Sequence, residues 1–207
     1  MQLVVGYIVP ATVIKANPGE DTYLMMIADT GFMGLLPRSQ AGKQYYVGDT
    51  TIAAIRERQG NHITLSQTVA FFFSRLVEML LAPLVSEGKI QVKRAAHVYG
   101  SGFAKVVVNS ANGCDPIAES VPLLAGVGLY TKTRINLIRY SPDPDQYLIN
   151  AFSPAPADAV WEVIHTPDKD GEVIVRVDPA YVRMFMGPKG HNVATVSKLL
   201  GKRVIVV

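Results

Sequence analysis

Hydrophobic and polar positions change their rhythm along this chain. The first part carries short apolar runs: Leu3-Val4-Val5-Gly6-Tyr7-Ile8-Val9 with Thr12-Val13-Ile14, Tyr23-Leu24-Met25-Met26-Ile27-Ala28, and Phe32-Met33-Gly34-Leu35-Leu36. Thr51-Ile52-Ala53-Ala54-Ile55-Arg56 and Ile63-Thr64-Leu65-Ser66 follow. Asn17-Pro18-Gly19-Glu20-Asp21, Asp29-Thr30-Gly31 and Gln59-Gly60-Asn61 read as the turns between them. Five short strands with such turns predict a small closed β-barrel of OB type over residues 1–67. An SH3-type barrel has the same strand count and stays open at this point.

At Gln67 the texture changes. Residues 69–83 hold three phenylalanines and several aliphatics with Arg75 and Glu78 between them, which predicts a helix with a wide apolar face, stopped by Pro83. Strands at 89–96 and 103–109, a turn-rich stretch at 110–116, a short helical stretch and a strand at 134–140 complete a unit over 68–141. A second unit, 142–207, repeats it with a helix at 143–152 and strands at 160–165 and 172–177 around a polar turn at 166–171. Then come a helix at 179–186, the turn Gly187-Pro188-Lys189-Gly190, a helix at 191–200 stopped by Gly201, and a strand at 203–207. The fold class is therefore α+β and multidomain, a barrel followed by two similar units.

With 207 residues, 49% of them hydrophobic, the chain has ample material for packed cores. No apolar run approaches the roughly 20 residues of a membrane helix, and the N-terminus lacks the basic region of a secretory signal. The single cysteine, Cys114, excludes an internal disulfide and suits a reducing compartment. A soluble, cytoplasmic protein is expected. Net charge is only +3, with 5 basic against 5 acidic residues in 1–67, 8 against 6 in 68–155 and 7 against 6 in 156–207. Bulk charge will not hold a nucleic acid, so a few placed contacts and base stacking must.

The Gly187-Pro188-Lys189-Gly190 turn offers such a contact. Two glycines three apart let the backbone turn sharply with no Cβ in the way. The amides opening the next helix, at His191 and Asn192, then face outward with the positive end of the helix dipole behind them, and Lys189 adds a mobile cation. This pattern is that of the G-x-x-G loop with which KH domains hold single-stranded RNA against an apolar groove. Met184, Met186, Val177 and Val193 suit the groove walls, with core packing the commoner duty for such residues. A plain helix–helix turn is the competing reading. The order helix, turn, helix, strand, preceded by two strands, favours phosphate contact.

Collinear segments resemble the NusA family of bacterial transcription factors. They are Ile63-Thr64-Leu65-Ser66, Phe73-Ser74-Arg75-Leu76-Val77-Glu78-Met79, Gly88-Lys89-Ile90-Gln91-Val92-Lys93, Arg134-Ile135-Asn136-Leu137-Ile138-Arg139-Tyr140 and Ile149-Asn150-Ala151-Phe152-Ser153-Pro154-Ala155. The stretch 175–207 with its Gly187-Pro188-Lys189-Gly190-His191-Asn192-Val193 completes the set. The resemblance implies an S1 barrel followed by two type II KH domains that track single-stranded RNA and influence pausing, termination or antitermination. RNA polymerase or other transcription-complex proteins are the implied partners, although the N-terminal domain with which such factors grip polymerase has no counterpart in the resemblance.

The first KH unit departs from the pattern. Pro122-Leu123-Leu124-Ala125 stands where the G-x-x-G turn would fall, Gly126-Val127-Gly128 is too closely spaced to replace it, and Gly100-Ser101-Gly102-Phe103 stands where the family shows an arginine-bearing turn. This unit reads as a degenerate KH domain that sets spacing, with Lys93, Arg94 and Lys105 on a solvated face. In the barrel, Tyr23, Tyr45 and Tyr46 are the candidate stacking platforms, with Arg38, Arg56 and Arg58 as phosphate or stacking partners. Strand alternation puts Arg56 and Arg58 on one face. Phe32 reads as core, and Tyr45 and Tyr46 are not expected to be buried together.

Catalysis is not expected. His62, His97, His165 and His191 are scattered, no metal-ligand spacing occurs, and there is no phosphate-binding, nucleophile-elbow or dinucleotide motif. The acidic pairs Asp143/Asp145 and Asp168/Asp170 fall in polar turns; no cofactor or metal is implied. Two other functions compete: an RNA-binding factor of translation or RNA turnover, and a protein-interaction subunit that has lost most RNA affinity. Carboxylates at both Gly187 and Gly190 are expected to repel phosphate and leave the cores intact.

Overall fold

Residues 3–17, 19–166 and 171–207 are described in a computed structural model of the chain. The pair Asp168/Asp170 lies outside them. Strands β1 (Ile8–Lys15), β2 (Thr22–Ile27), β3 (Met33–Pro37), β4 (Thr50–Gln59) and β5 (His62–Ser66) close a barrel in the order β1-β2-β3-β5-β4. All pairings are antiparallel except the β3–β5 closure at Leu35 and Thr64, which makes the barrel OB-like. Period-two alternation fills it: Tyr23, Met25 and Ile27 point inward from β2, against Val9, Ala11 and Val13 from β1. Strand structure begins at Ile8 rather than Leu3, because residues 3–7 turn over the barrel end, where the Gly6 amide donates to Ile55 O at 3.0 Å.

Pro83 does not stop a long helix. Helix α1 (Ala70–Leu80) ends first, and Pro83 lies in the opening turn of α2 (Ala82–Ser86), where a missing N–H costs nothing. Strands β6 (Ile90–His97), β7 (Phe103–Ser110) and β8 (Arg134–Arg139) form a sheet with β7 central, antiparallel to β6 and parallel to β8. Between β7 and β8 lie α3 (Pro116–Ser120), N-capped by the Asp115 carboxylate, and a 3-10 segment, Val121–Leu129. The wiring then recurs. Helix α4 (Pro144–Ala151), capped by Asp143, precedes β9 (Val160–His165), β10 (Glu172–Val177), α5 (Val182–Met186), α6 (His191–Leu200) and β11 (Arg203–Val206). Here β10 is central, antiparallel to β9 and parallel to β11.

The middle sheet has a core on each face. Ala104, Val106, Val108 and Leu137 pack with Phe72, Phe73 and Leu76 of α1 and with Ile52 and Ala54 of the barrel. Val107 and Ile138 point the other way, into a core with Phe152, Phe185, Val196 and Leu199. Strand β7 is therefore apolar almost throughout, as a strand buried on both faces requires. Lys105 breaks that run and is not solvated: its side chain is 0% exposed, and its Nζ donates to Ser153 O at 2.6 Å. Burial, with the Arg134 charge adding to it, lowers its pKa to about 7.

Gln67, the last residue of the barrel, ties the barrel's loop and strand β4 together at its joint with the middle unit. Its buried Oε1 accepts from Gly42 N at 2.7 Å and Tyr45 OH at 3.0 Å, while Nε2 donates to Ile52 O at 2.7 Å and Thr51 Oγ1 at 3.0 Å. Lys43 Nζ donates across the same joint to Leu129 O at 2.9 Å. Among the described residues no helix is long and apolar enough to cross a membrane, and no group of three or more metal-ligating side chains is assembled.

Candidate nucleic-acid interface

Helix α5 ends at Gly187, whose φ of 69° and ψ of 171° turn the chain out of the helix. A Cβ here would meet Asn192 Cβ at 2.7 Å and Asn192 N at 2.9 Å, so glycine is required by contact as well as by conformation. Lys189 (φ 53°) and Gly190 (φ 72°) are both left-handed, and the Gly190 amide donates back to Gly187 O at 3.1 Å. Gly190 faces open space. It N-caps α6 without a side-chain acceptor, and α6 has no acidic residue in its first turn. The positive end of α6 is thus neither capped nor neutralised by a side chain. Pro188 and Lys189 are exposed at the tip.

Asn192 is turned inward rather than toward a ligand. It is buried, and its Nδ2 donates to Met184 O at 3.1 Å and Phe152 O at 3.3 Å, pinning the turn to α4 and α5. His191 is half-buried at the start of α6. The expectation that Asp at both glycines spares the core fails at Gly187, where no side chain fits.

Most barrel candidates are committed elsewhere. Tyr23 and Tyr45 are each 2% exposed and meet edge to face in the core, with centroids 5.8 Å apart. Neither ring is open to a ligand; Tyr46 is 66% exposed. Burial pushes the Tyr45 phenol pKa up. Arg38, half-buried, spends its guanidinium on the barrel itself: Nε donates to Glu20 O at 2.7 Å, Nη1 to Tyr23 OH at 2.9 Å and Nη2 to Asn17 O at 3.1 Å, with the group 4.3 Å from the Tyr23 ring centroid. The cleft beside Tyr46 is bordered by Glu20 and Asp21 as well as by Arg38, and Glu20 pairs with Lys15 at 2.9 Å.

Arg56 and Arg58 do not share a face. A bulge between Ile55 and Glu57 leaves Arg56 unpaired in the β4–β5 ladder. Arg58 lies opposite the core residue Ile63 and donates from Nη1 to Leu3 O at 2.7 Å, whereas Arg56 pairs outside with Glu57 at 3.3 Å. Phe32 packs on the barrel core, as its sequence suggested.

In the middle unit, Pro122-Leu123-Leu124-Ala125 is absorbed into the 3-10 segment, and neither Gly126 nor Gly128 takes a positive φ. No turn like that at 187–190 forms there. A cleft of about 280 Å³ instead opens between this unit and the C-terminal turn, lined by Arg134, Asn136 and Phe103 on one side and Arg183, Met184 and Pro188 on the other. Of these only Pro188, as a contact, and Met184, as a groove wall, stood out in the sequence. The lining residues come from strands and helices far apart in the chain, with no local pattern to join them.

Comparison with known proteins adds relatives. The chain is 28% identical over 153 residues to the transcription termination/antitermination protein NusA of Halalkalibacterium halodurans, covering 70% of this chain and 38% of that protein. It is 27% identical over 177 residues to the NusA of Thermus thermophilus, covering 80% and 44% respectively. To the probable transcription termination protein NusA of Methanococcus vannielii it is 35% identical over 69 residues, 33% of this chain and 39% of that protein. The chain is NusA-like in sequence and spans about two fifths of the length of these relatives. No family model matches it.

Proposed function

We propose that the chain is a NusA-like, single-stranded RNA-binding protein of the transcription apparatus, holding RNA at the 187–190 turn. In this reading residues 1–67 are an S1-type barrel, 68–141 a KH domain without a working loop, and 142–207 a KH domain with one. It acts in elongation, termination or antitermination, in the cytoplasm, beside RNA polymerase or other transcription proteins, and catalyses nothing. The observation that carries it is the turn itself. Gly187 and Gly190 bracket an exposed lysine at the uncapped, unneutralised start of a ten-residue helix.

Pro188→Asp with Lys189→Asp tests this without touching either glycine. Both positions are exposed, and aspartate tolerates the left-handed backbone at 189 better than most residues. Affinity for a labelled single-stranded oligoadenylate, measured by anisotropy at 50 and 200 mM salt (about the range over which phosphate contacts register), should fall by tenfold or more (about 1.4 kcal/mol). Unchanged affinity in a variant that melts like the wild type removes the reading.

One observation favours a protein-contact role for the barrel. On the outer face of β2 and β3, Met26 lies opposite Met33 and Leu24 opposite Leu35, with no aromatic or charged side chain in these pairs. Small barrels of this class bind oligonucleotides on that face through rings and cations. Loss of RNA affinity only in turn variants, with Tyr46→Ala silent, supports an RNA-free barrel.

A further inference from the structure

Resting on the RNA-binding reading, we propose that the middle unit lends β8 to the C-terminal turn, so that the cleft between Arg134 and Arg183 takes the nucleotide next to the one held at the turn. The cleft opens directly onto the turn, since Gly187 and Pro188 form part of its wall. Its volume of about 280 Å³ falls just under the range of drug-sized pockets, roughly 300–1,000 Å³. That is room for a single base and not for a folded oligonucleotide.

The lining of the cleft points to the ligand class. Lys15, Arg56, Arg75, Lys89, Arg139, Arg176 and Arg203 each pair with a carboxylate. Arg134 and Arg183 are among the cations with no ion pair among the described residues, and what sets them apart is that they line one cleft with no carboxylate in its wall. Two unneutralised cations line a cleft whose wall includes Gly187 and Pro188, beside the uncapped end of α6 that already favours an anion. Register supplies the floor: Phe103 lies beside Arg134 and Lys105 beside Asn136 in the parallel β7–β8 ladder. A phosphate on the guanidiniums leaves its base against Met184 and the Phe103 edge, with the Asn136 amide in reach of a base or ribose group. The middle unit, with no clamp of its own, then contributes to binding through an edge strand.

The test is binding of the same labelled oligoadenylate to Arg134→Ala, Arg183→Ala, Arg134→Lys and the distant control Lys202→Ala. Lys202 follows the far end of α6, about 15 Å from the turn by helix rise alone. Each phosphate contact on single-stranded nucleic acid contributes about 0.7 to the slope of log K against log salt. Arg134→Ala and Arg183→Ala should each lower that slope by about 0.7, so that affinity falls about 2.6-fold less than in the wild type between 50 and 200 mM salt. Arg134→Lys should restore the slope, which a packing role would not.

If Pro188→Asp/Lys189→Asp abolishes binding while both arginine variants keep the wild-type slope, the clamp stops at the turn. The proposal is then wrong and the RNA-binding reading stands. If Lys202→Ala lowers the slope as much as Arg134→Ala, bulk charge and not the cleft is at work, and the proposal also fails. If turn and cleft variants are all silent, the RNA-binding reading itself falls. Should one arginine variant fail to fold, the other reports on the same cleft.

Discussion

Replacing Lys105 with methionine should abolish a rise in stability that the wild type shows between pH 7 and 9. The ammonium is buried on the face of β7 that packs against the C-terminal unit, with its Nζ donating to Ser153 O at 2.6 Å. Its pKa falls from 10.5 to about 7, through burial first and the Arg134 charge second. A drop of that size corresponds to about 5 kcal/mol against the charged form, at roughly 1.4 kcal/mol per pH unit. The penalty is present in full below pH 7, where the lysine is protonated in both states. Between the two pKa values the folded protein holds the amine neutral while the unfolded chain binds a proton, so stability climbs with pH.

From pH 7 to 9 the gain should be about 2–3 kcal/mol, large beside a typical total of about 5–15 kcal/mol. Few other shifted groups intrude. His97, its pKa lowered by burial, acts below pH 6.5, and Tyr45 and Tyr147, raised by burial, act above pH 10. Urea unfolding at several pH values, with the m-value as a check on the denatured state, measures the slope for both proteins. A flat wild-type curve from pH 7 to 9, or an equal rise in Lys105→Met, refutes the argument.

Gly187→Ala should destabilise the protein by about 2–5 kcal/mol, since it adds left-handed strain to a clash with Asn192. Gly190→Ala meets open space and should cost only about 1–2 kcal/mol; equal losses in thermal or urea unfolding would contradict the contact geometry. Arg38→Ala should cost about 1–3 kcal/mol through its three internal hydrogen bonds and its place over Tyr23, with RNA affinity unchanged by anisotropy. Gln67→Ala removes the partner of the Gly42 amide and an acceptor and a donor from Tyr45 OH and Ile52 O, and should lower the unfolding midpoint more than any single exposed cation substitution does.

Much of the fold was legible because local periods and tertiary burial agree. Strands β9 and β10 and helix α6 have the residues their patterns predict, and Gly201 ends α6 in a left-handed cap. The break between α1 and α2 was misplaced because proline stops a helix interior yet opens a helix, and the sequence does not say which turn it occupies. The inward face of Tyr23 was available from its two-residue spacing to Met25 and Ile27. Tyr45 gave no such signal, since partners as distant as Gln67 hold it in the core. The Arg56 bulge defeats alternation by one extra residue. Lys105 was readable in principle, as the single charge in the run Ala104-Lys105-Val106-Val107-Val108. The Arg134–Arg183 cleft was not, because it exists only where two units meet.

The double-faced middle sheet has a kinetic consequence. Because one of its cores is shared with α5 and α6, which carry the C-terminal turn, and the other with β4 of the barrel, neither joint can swing open without exposing buried apolar side chains. Under the proposed RNA-binding reading, a bound strand would leave a fixed surface by peeling or sliding, nucleotide by nucleotide. Its dwell time would then be governed by the strand's length and stacking rather than by a gate in the protein.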